Sequence, residues 1–259
     1  MKGIRNRGVR TALAACLSAV LLTACSSVSE EMLASRENAI DMMKNGDYEA
    51  AVEVFNGLVE KATSVTEFEL DILKYRAEAE LLLEDYEAAV HTYKTLIEVD
   101  KELPEYCYIS ALALAKDGQR EKAQEFLNRG KELDQKLEAA GFSQAALALA
   151  ESVETDGMID EAKAMYQELI DLGLGNTNIC NRLMLMSMND EKYEDALQMA
   201  AKGLEFTDEL ARKELKFNEA VCYEFLGDFA KALELFRAYE AEFGSDERVS
   251  HEITFLETR

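Results

Sequence analysis

Proline occurs once in 259 residues, tryptophan never, histidine twice and glycine only 13 times. A single proline leaves almost no point at which a helix must break, and scarce glycine leaves few turns that need a left-handed backbone. Folds made of many short strands joined by Gly- and Pro-rich turns are therefore disfavoured. With only His91 and His251, neither a His-based metal site nor a Ser-His-Asp set assembles readily. Basic residues are also short, 28 Lys and Arg against 51 Asp and Glu, a net charge of −23. That balance argues against nucleic acid, which is bound by clustered Lys and Arg. Gly173-Leu174-Gly175 lacks the third glycine of a dinucleotide loop. The acidic runs from Asp41 to Asp47 and from Asn189 to Asp195 lack the spacing and central glycine of an EF-hand. No catalytic residue, metal or cofactor is expected.

What the chain has in abundance is repetition. Asn45-Gly46-Asp47-Tyr48-Glu49-Ala50-Ala51 returns as Glu84-Asp85-Tyr86-Glu87-Ala88-Ala89 and as Leu226-Gly227-Asp228-Phe229-Ala230-Lys231-Ala232. Weaker copies lie at Asp117 to Ala123, Asp156 to Ala162 and Glu191 to Ala196. Aligned on Ala51, Ala89, Ala123, Ala162, Ala196 and Ala232, the copies recur at intervals of 38, 34, 39, 34 and 36, a period that signals a solenoid. Twelve residues earlier stand Ala39, Ala77, Ala111, Ala150 and Ala220, with Met184 the exception. Four residues later come Phe55, Tyr93, Leu127, Tyr166, Ala200 and Phe236. Two antiparallel helices approach closely only where side chains are small, and a large ring fills the groove beside that contact. Gly46, Gly118, Gly157 and Gly227 mark the turns.

This pattern resembles the tetratricopeptide repeat (TPR) family, whose 34-residue unit is a helix pair with an Ala-x-x-x-Phe step in its second helix. The resemblance implies an all-α, right-handed superhelical solenoid of about six helix-turn-helix repeats over 32–246, followed by a capping helix over 247–259. Thr66-Glu67-Phe68-Glu69 reads as a capping box and Pro104 as a first-turn proline. The second helix of the third copy is predicted to run from about Glu121 to Ala140, closed by Gly141. Met184, Met186 and Met188 read as core, since residues two apart on a helix diverge too far to share a ligand. Cys107, Cys180 and Cys222 fit no disulfide framework and read as small hydrophobes.

Ahead of the repeats, residues 1–24 carry Lys2, Arg5, Arg7 and Arg10 before an apolar run from Ala12 to Leu22, the form of a secretory signal peptide. Leu22-Thr23-Ala24-Cys25 resembles the lipobox of bacterial lipoproteins, which implies cleavage before Cys25 and diacylation of its sulfur. Residues 25–31 would then be a short tether to a membrane, with the protein facing outside the cytoplasm. The mature chain would keep 24 basic and 51 acidic residues, a net charge of −27.

In the TPR family the first helices of successive units line a concave groove that binds a peptide or helix of a partner. By alignment, the corresponding residues are Lys74, Tyr108, Leu112, Leu147, Asn178, Asn181, Arg182, Leu185, Phe217, Asn218 and Val221. Asn181, Arg182 and Asn218 have the chemistry to grip a peptide backbone or terminal carboxylate. The charged clamp of chaperone-binding members is not reproduced. The expectation is a membrane-anchored, non-catalytic interaction scaffold of a cell-envelope or secretion assembly, the alternative being a solute- or substrate-delivery lipoprotein.

Overall fold

A computed structural model describes residues 28–206 and 211–259. The leader, Cys25 and the first residues of the tether lie outside the described residues. Among those described there are thirteen α-helices and no strand. In chain order they are α1 (Glu30–Lys44), α2 (Tyr48–Glu60), α3 (Glu67–Leu82), α4 (Tyr86–Val99), α5 (Pro104–Lys116), α6 (Arg120–Leu133), α7 (Phe142–Thr155), α8 (Ile159–Asp171), α9 (Thr177–Asn189), α10 (Tyr193–Gly203), α11 (Arg212–Phe225), α12 (Phe229–Phe243) and α13 (Glu247–Leu256). The chain divides into two compact units, Met1–Ser152 and Val153–Arg259, with the division falling inside α7. No described helix is long and apolar enough to cross a membrane.

The six turns between first and second helices share one hydrogen-bond pattern. In the first, the Asp47 N–H donates to the Met42 carbonyl at 2.9 Å and the Gly46 N–H to that of Met43 at 3.1 Å, a Schellman cap. The same pair recurs at Asp85 and Glu84, Gln119 and Gly118, Met158 and Gly157, Lys192 and Glu191, and Asp228 and Gly227. The cap requires a positive φ, which Gly46, Gly118, Gly157 and Gly227 supply. The other two copies place Glu84 and Glu191 there, at φ 60° and 59°, a conformation that Cβ disfavours.

All the aligned alanines of both helices, together with Met184, are 0% exposed. The fifth copy, which breaks the rule, shows why it is kept elsewhere. Met184 and Ala200 lie in one cluster with Ala196, Leu215 and Cys222, so the larger side chain on the first helix is matched by a smaller one on the second, and volume is conserved. The capping box forms, with the Phe68 N–H donating to the Thr66 hydroxyl at 3.2 Å and the Thr66 N–H to Glu69 at 2.9 Å. Pro104 opens α5.

The long second helix expected in the third copy is not found. α6 stops at Leu133, and residues 134–141 form a loop. Asp134 halts the helix, because its carboxylate accepts from the Ala139 N–H at 2.8 Å, the Glu138 N–H at 3.3 Å and the Tyr108 hydroxyl at 3.3 Å. Burial opposes that carboxylate, yet the donors hold it below the usual Asp value. Gly141, at φ 93°, belongs to the entry of α7 rather than to the end of α6, its carbonyl accepting from the Ala145 N–H at 2.9 Å.

The first unit also buries charge. Arg76 and Glu80, one turn apart on α3, are 3% and 4% exposed and pair at 3.1 Å. Arg76 also donates to Thr92 at 2.6 Å and to Asn56 at 3.2 Å, while the Thr92 hydroxyl donates to Glu80 at 2.6 Å. Desolvation nonetheless raises the Glu80 carboxyl above its ordinary value, against the pull of Arg76 and Thr92.

At the C-terminus, α13 packs on α12 and buries Val249 and Leu256. Its N-cap Asp246 accepts from the Val249 N–H at 3.0 Å. Arg248 forks onto Glu214 of α11 at 3.0 and 2.9 Å, and its guanidinium lies 3.8 Å from the Phe217 ring centroid. The hydrogen bonds from Arg248 lower the Glu214 carboxyl despite some burial.

Two outcomes follow. Glu191→Gly relieves a left-handed backbone and should raise stability by about 0.5–1 kcal/mol in urea titrations. Because the folded pKa of Glu80 is raised, its contribution is greatest below the unfolded value of about 4.3 and is lost as pH climbs through the folded value. Wild type should therefore lose stability relative to Glu80→Gln from about pH 4.3 towards neutrality, as read by paired denaturations; a flat difference would contradict the raised carboxyl.

Candidate binding surface

The first helices of the second unit carry the clearest polar constellation. Asn176 caps α9, its side chain accepting from the Ile179 N–H at 2.9 Å. Within α9 the spacing of Asn178, Asn181 and Leu185 puts the three on one face. α11 packs directly against α9, and the Asn218 Nδ2 donates to the Asn181 Oδ1 at 3.0 Å. An amide has two donor and two acceptor sites, so this bond leaves N–H groups on Asn181, which is only 9% exposed, and a carbonyl on half-buried Asn218. A peptide backbone presents the complementary pair. Leu185, 40% exposed, adds an apolar edge.

Other aligned residues have different surroundings. Arg182 donates to Glu154 at 2.6 Å and its guanidinium sits 5.9 Å from the Tyr166 ring centroid, while the Tyr166 hydroxyl donates to the same carboxylate at 2.7 Å. A ligand carboxylate would have to displace Glu154 to reach this arginine. Phe217 is only 6% exposed and packs edge-on to Phe236 and Tyr239, at 5.1 and 5.7 Å. It supports the face from beneath. Val221 is half-buried on the same helix.

In the first unit, Tyr108 is fully enclosed, its ring 5.3 Å from Phe142 and pressed on Gly130, where a Cβ would come within 2.4 Å of it. It is a core residue whose hydroxyl serves Asp134. Lys74 is exposed, with its ammonium 6.0 Å from the Tyr106 ring, and Leu112 and Leu147 are half-buried. An open hollow of about 520 Å³ at the first turn is lined by Asp47, Glu49, Glu53, Tyr48 and Leu83 among others, and contains none of the aligned residues.

Glu154 and the stacked rings of Tyr193 and Phe225 escape a reading of the sequence. Glu154 meets Arg182 across 28 positions, beyond the reach of helical periodicity. Phe225, beside the turn at Leu226-Gly227, could have been found as an apolar residue just where the chain turns back.

Redox and metal chemistry have little foothold. Cys107, Cys180 and Cys222 are free and buried. Burial pushes their thiols up to about 11, 11 and 12, which keeps them protonated and unreactive. The described residues hold no group of three potential metal ligands.

A sequence model of the tetratricopeptide repeat matches residues 104–137. It starts at Pro104, in the register that places Ala111 and Ala123 at the two close helix contacts. No curated protein matches. Solved structures share the fold at low identity. A tetratricopeptide repeat protein from Parabacteroides merdae is 15% identical, with a TM-score of 0.55 over 96% of this chain and 92% of that one. PilW, a widely conserved type IV pilus biogenesis factor, is 14% identical, with a TM-score of 0.57 over 88% and 99%. PilF of Pseudomonas aeruginosa is 12% identical, with a TM-score of 0.59 over 88% and 97%.

Proposed function

We propose that this tetratricopeptide-repeat protein is a non-catalytic scaffold, anchored to a membrane by lipid on Cys25 and facing outside the cytoplasm in a cell-envelope or secretion assembly. The repeat fold is one whose exposed first helices suit protein and peptide ligands. The observation that carries the reading is the Asn181–Asn218 pair at 3.0 Å beside exposed Leu185. It offers a donor, an acceptor and an apolar contact in one place, which is what an extended or helical peptide requires. The absence of an assembled acid, base and nucleophile from the sequence supports a binding role over catalysis.

The envelope assignment draws on the leader and lipobox, and on the fold shared with PilW, itself a pilus biogenesis factor. Two acyl chains on Cys25 would hold the protein stably, since each buried methylene contributes about 0.8 kcal/mol.

Crosslinking in intact membranes followed by pull-down should recover a protein partner with wild type. Recovery should fall about ten-fold in an Asn181→Ala, Leu185→Glu double variant, the effect of losing roughly 1.4 kcal/mol. It should persist in Glu98→Gln, an exposed acid on the second helix α4. Equal recovery by the double variant would defeat the assignment of this face. Labelled palmitate should enter wild type and not Cys25→Ser; equal incorporation would remove the anchor.

A further inference from the structure

The C-terminal end of α11 leaves an aromatic ring in water. Phe225 is 65% exposed, more than any other large apolar side chain among the described residues. Its ring stacks on Tyr193 of α10, with centroids 4.9 Å apart and planes within 3°. Tyr193 is fixed from below, because it packs on the cluster of Met184, Ala196, Ala200, Leu215 and Cys222. The pair is thus a pre-set aromatic platform. Phe225 lies seven residues beyond Asn218 on the same helical face, about 10 Å along the axis.

The chain on either side of the two rings is acidic. Glu224 precedes Phe225, and exposed Glu191, Glu194, Asp195 and Asp228 lie close by in the chain. Lys192, the neighbouring cation, is tied to Asp190 at 3.2 Å. Across from α11, α13 brings Glu252 and exposed His251, which are 3.3 Å apart. Burial, and then the charge of Glu252, raise the Glu224 carboxyl above its usual value, against the opposing pull of Arg259 and His251. Arg259, whose charge reaches Glu224, lies over Phe255 and Phe229, at 4.5 and 5.5 Å, and Lys231 is tied to Glu234 at 2.9 Å.

Elsewhere the chain places its own cations over several rings. Arg248 lies over Phe217, and Arg36 lies 5.2 Å from the centre of Tyr75. No cation of the described residues lies over Phe225 or Tyr193. An exposed aromatic face in an acidic stretch of the chain is suited to a guanidinium, which stacks on the ring while the acids attract its charge.

From this placement we infer that the Tyr193–Phe225 platform docks an arginine side chain presented by a basic segment of a partner protein. This rests on the scaffold reading and adds the charge of the partner to it. The acidic surface supplies long-range attraction and the rings supply the choice of side chain.

The test is binding of the full chain to a fluorescein-labelled nonapeptide of glycine and serine with two arginines, beside its citrulline counterpart, which keeps the shape and loses the charge. The arginine peptide should bind more tightly. Phe225→Ala, which alters no charge, should weaken it about five-fold at fixed ionic strength, and Phe225→Tyr should restore it. Equal binding by wild type and Phe225→Ala would reduce the effect to general attraction and overturn the inference. So would Phe225-dependent self-association in sedimentation without preference for arginine, which would make the platform a contact between copies. If the membrane partner is lost in the Asn181→Ala, Leu185→Glu variant but retained by Phe225→Ala, the scaffold stands and the arginine site falls. If wild type recovers no partner while arginine selectivity persists, the converse holds.

Discussion

Close approach of paired helices is the constraint from which the structure follows. It is possible only where a side chain ends at Cβ, and the aligned alanines, all fully buried, meet that condition in nearly every copy. Where one copy departs, with Met184 in place of alanine, Ala200 stands where others carry a large residue, and both remain fully buried. What is kept is the pairing of a small side chain on one helix with a larger one on the other. The residue type at any one position is secondary to it.

The turns obey a second local rule. Six Schellman caps close the first helices, and the backbone twist they demand is accepted even by Glu84 and Glu191. Hairpin geometry therefore outweighs the intrinsic preference of two glutamates, because neighbouring elements over-determine the turn. The Arg76–Glu80 pair shows a related tolerance. Its charges are kept in a dry interior by bonds to Asn56 and Thr92, at a desolvation cost visible in the raised Glu80 carboxyl.

Function is distributed in the same modular way. Tyr108 and Phe217, which hold the wall upright, share one alignment position with Asn181, and the outward Leu185 shares another with half-buried Leu112 and Val221. Whether such a position faces water depends on what the next helix brings over it. Phe217 is closed off by Arg248 from α13, whereas Phe225, on the same helix, remains open beyond Tyr193.

The sequence by itself determined the helix pairs, their register and the all-α class, since short-range spacing of alanines, glycines and rings encodes contacts within a hairpin. The inert cysteines and the capping box were legible for the same reason. Tertiary structure alone decided where α6 ends, because Asp134 is satisfied by Tyr108, 26 positions away, as well as by local N–H groups. It also decided which aligned residues are covered and how Arg182 is engaged by Glu154. Those outcomes depend on groups brought together from distant positions, and no periodic pattern carries that information.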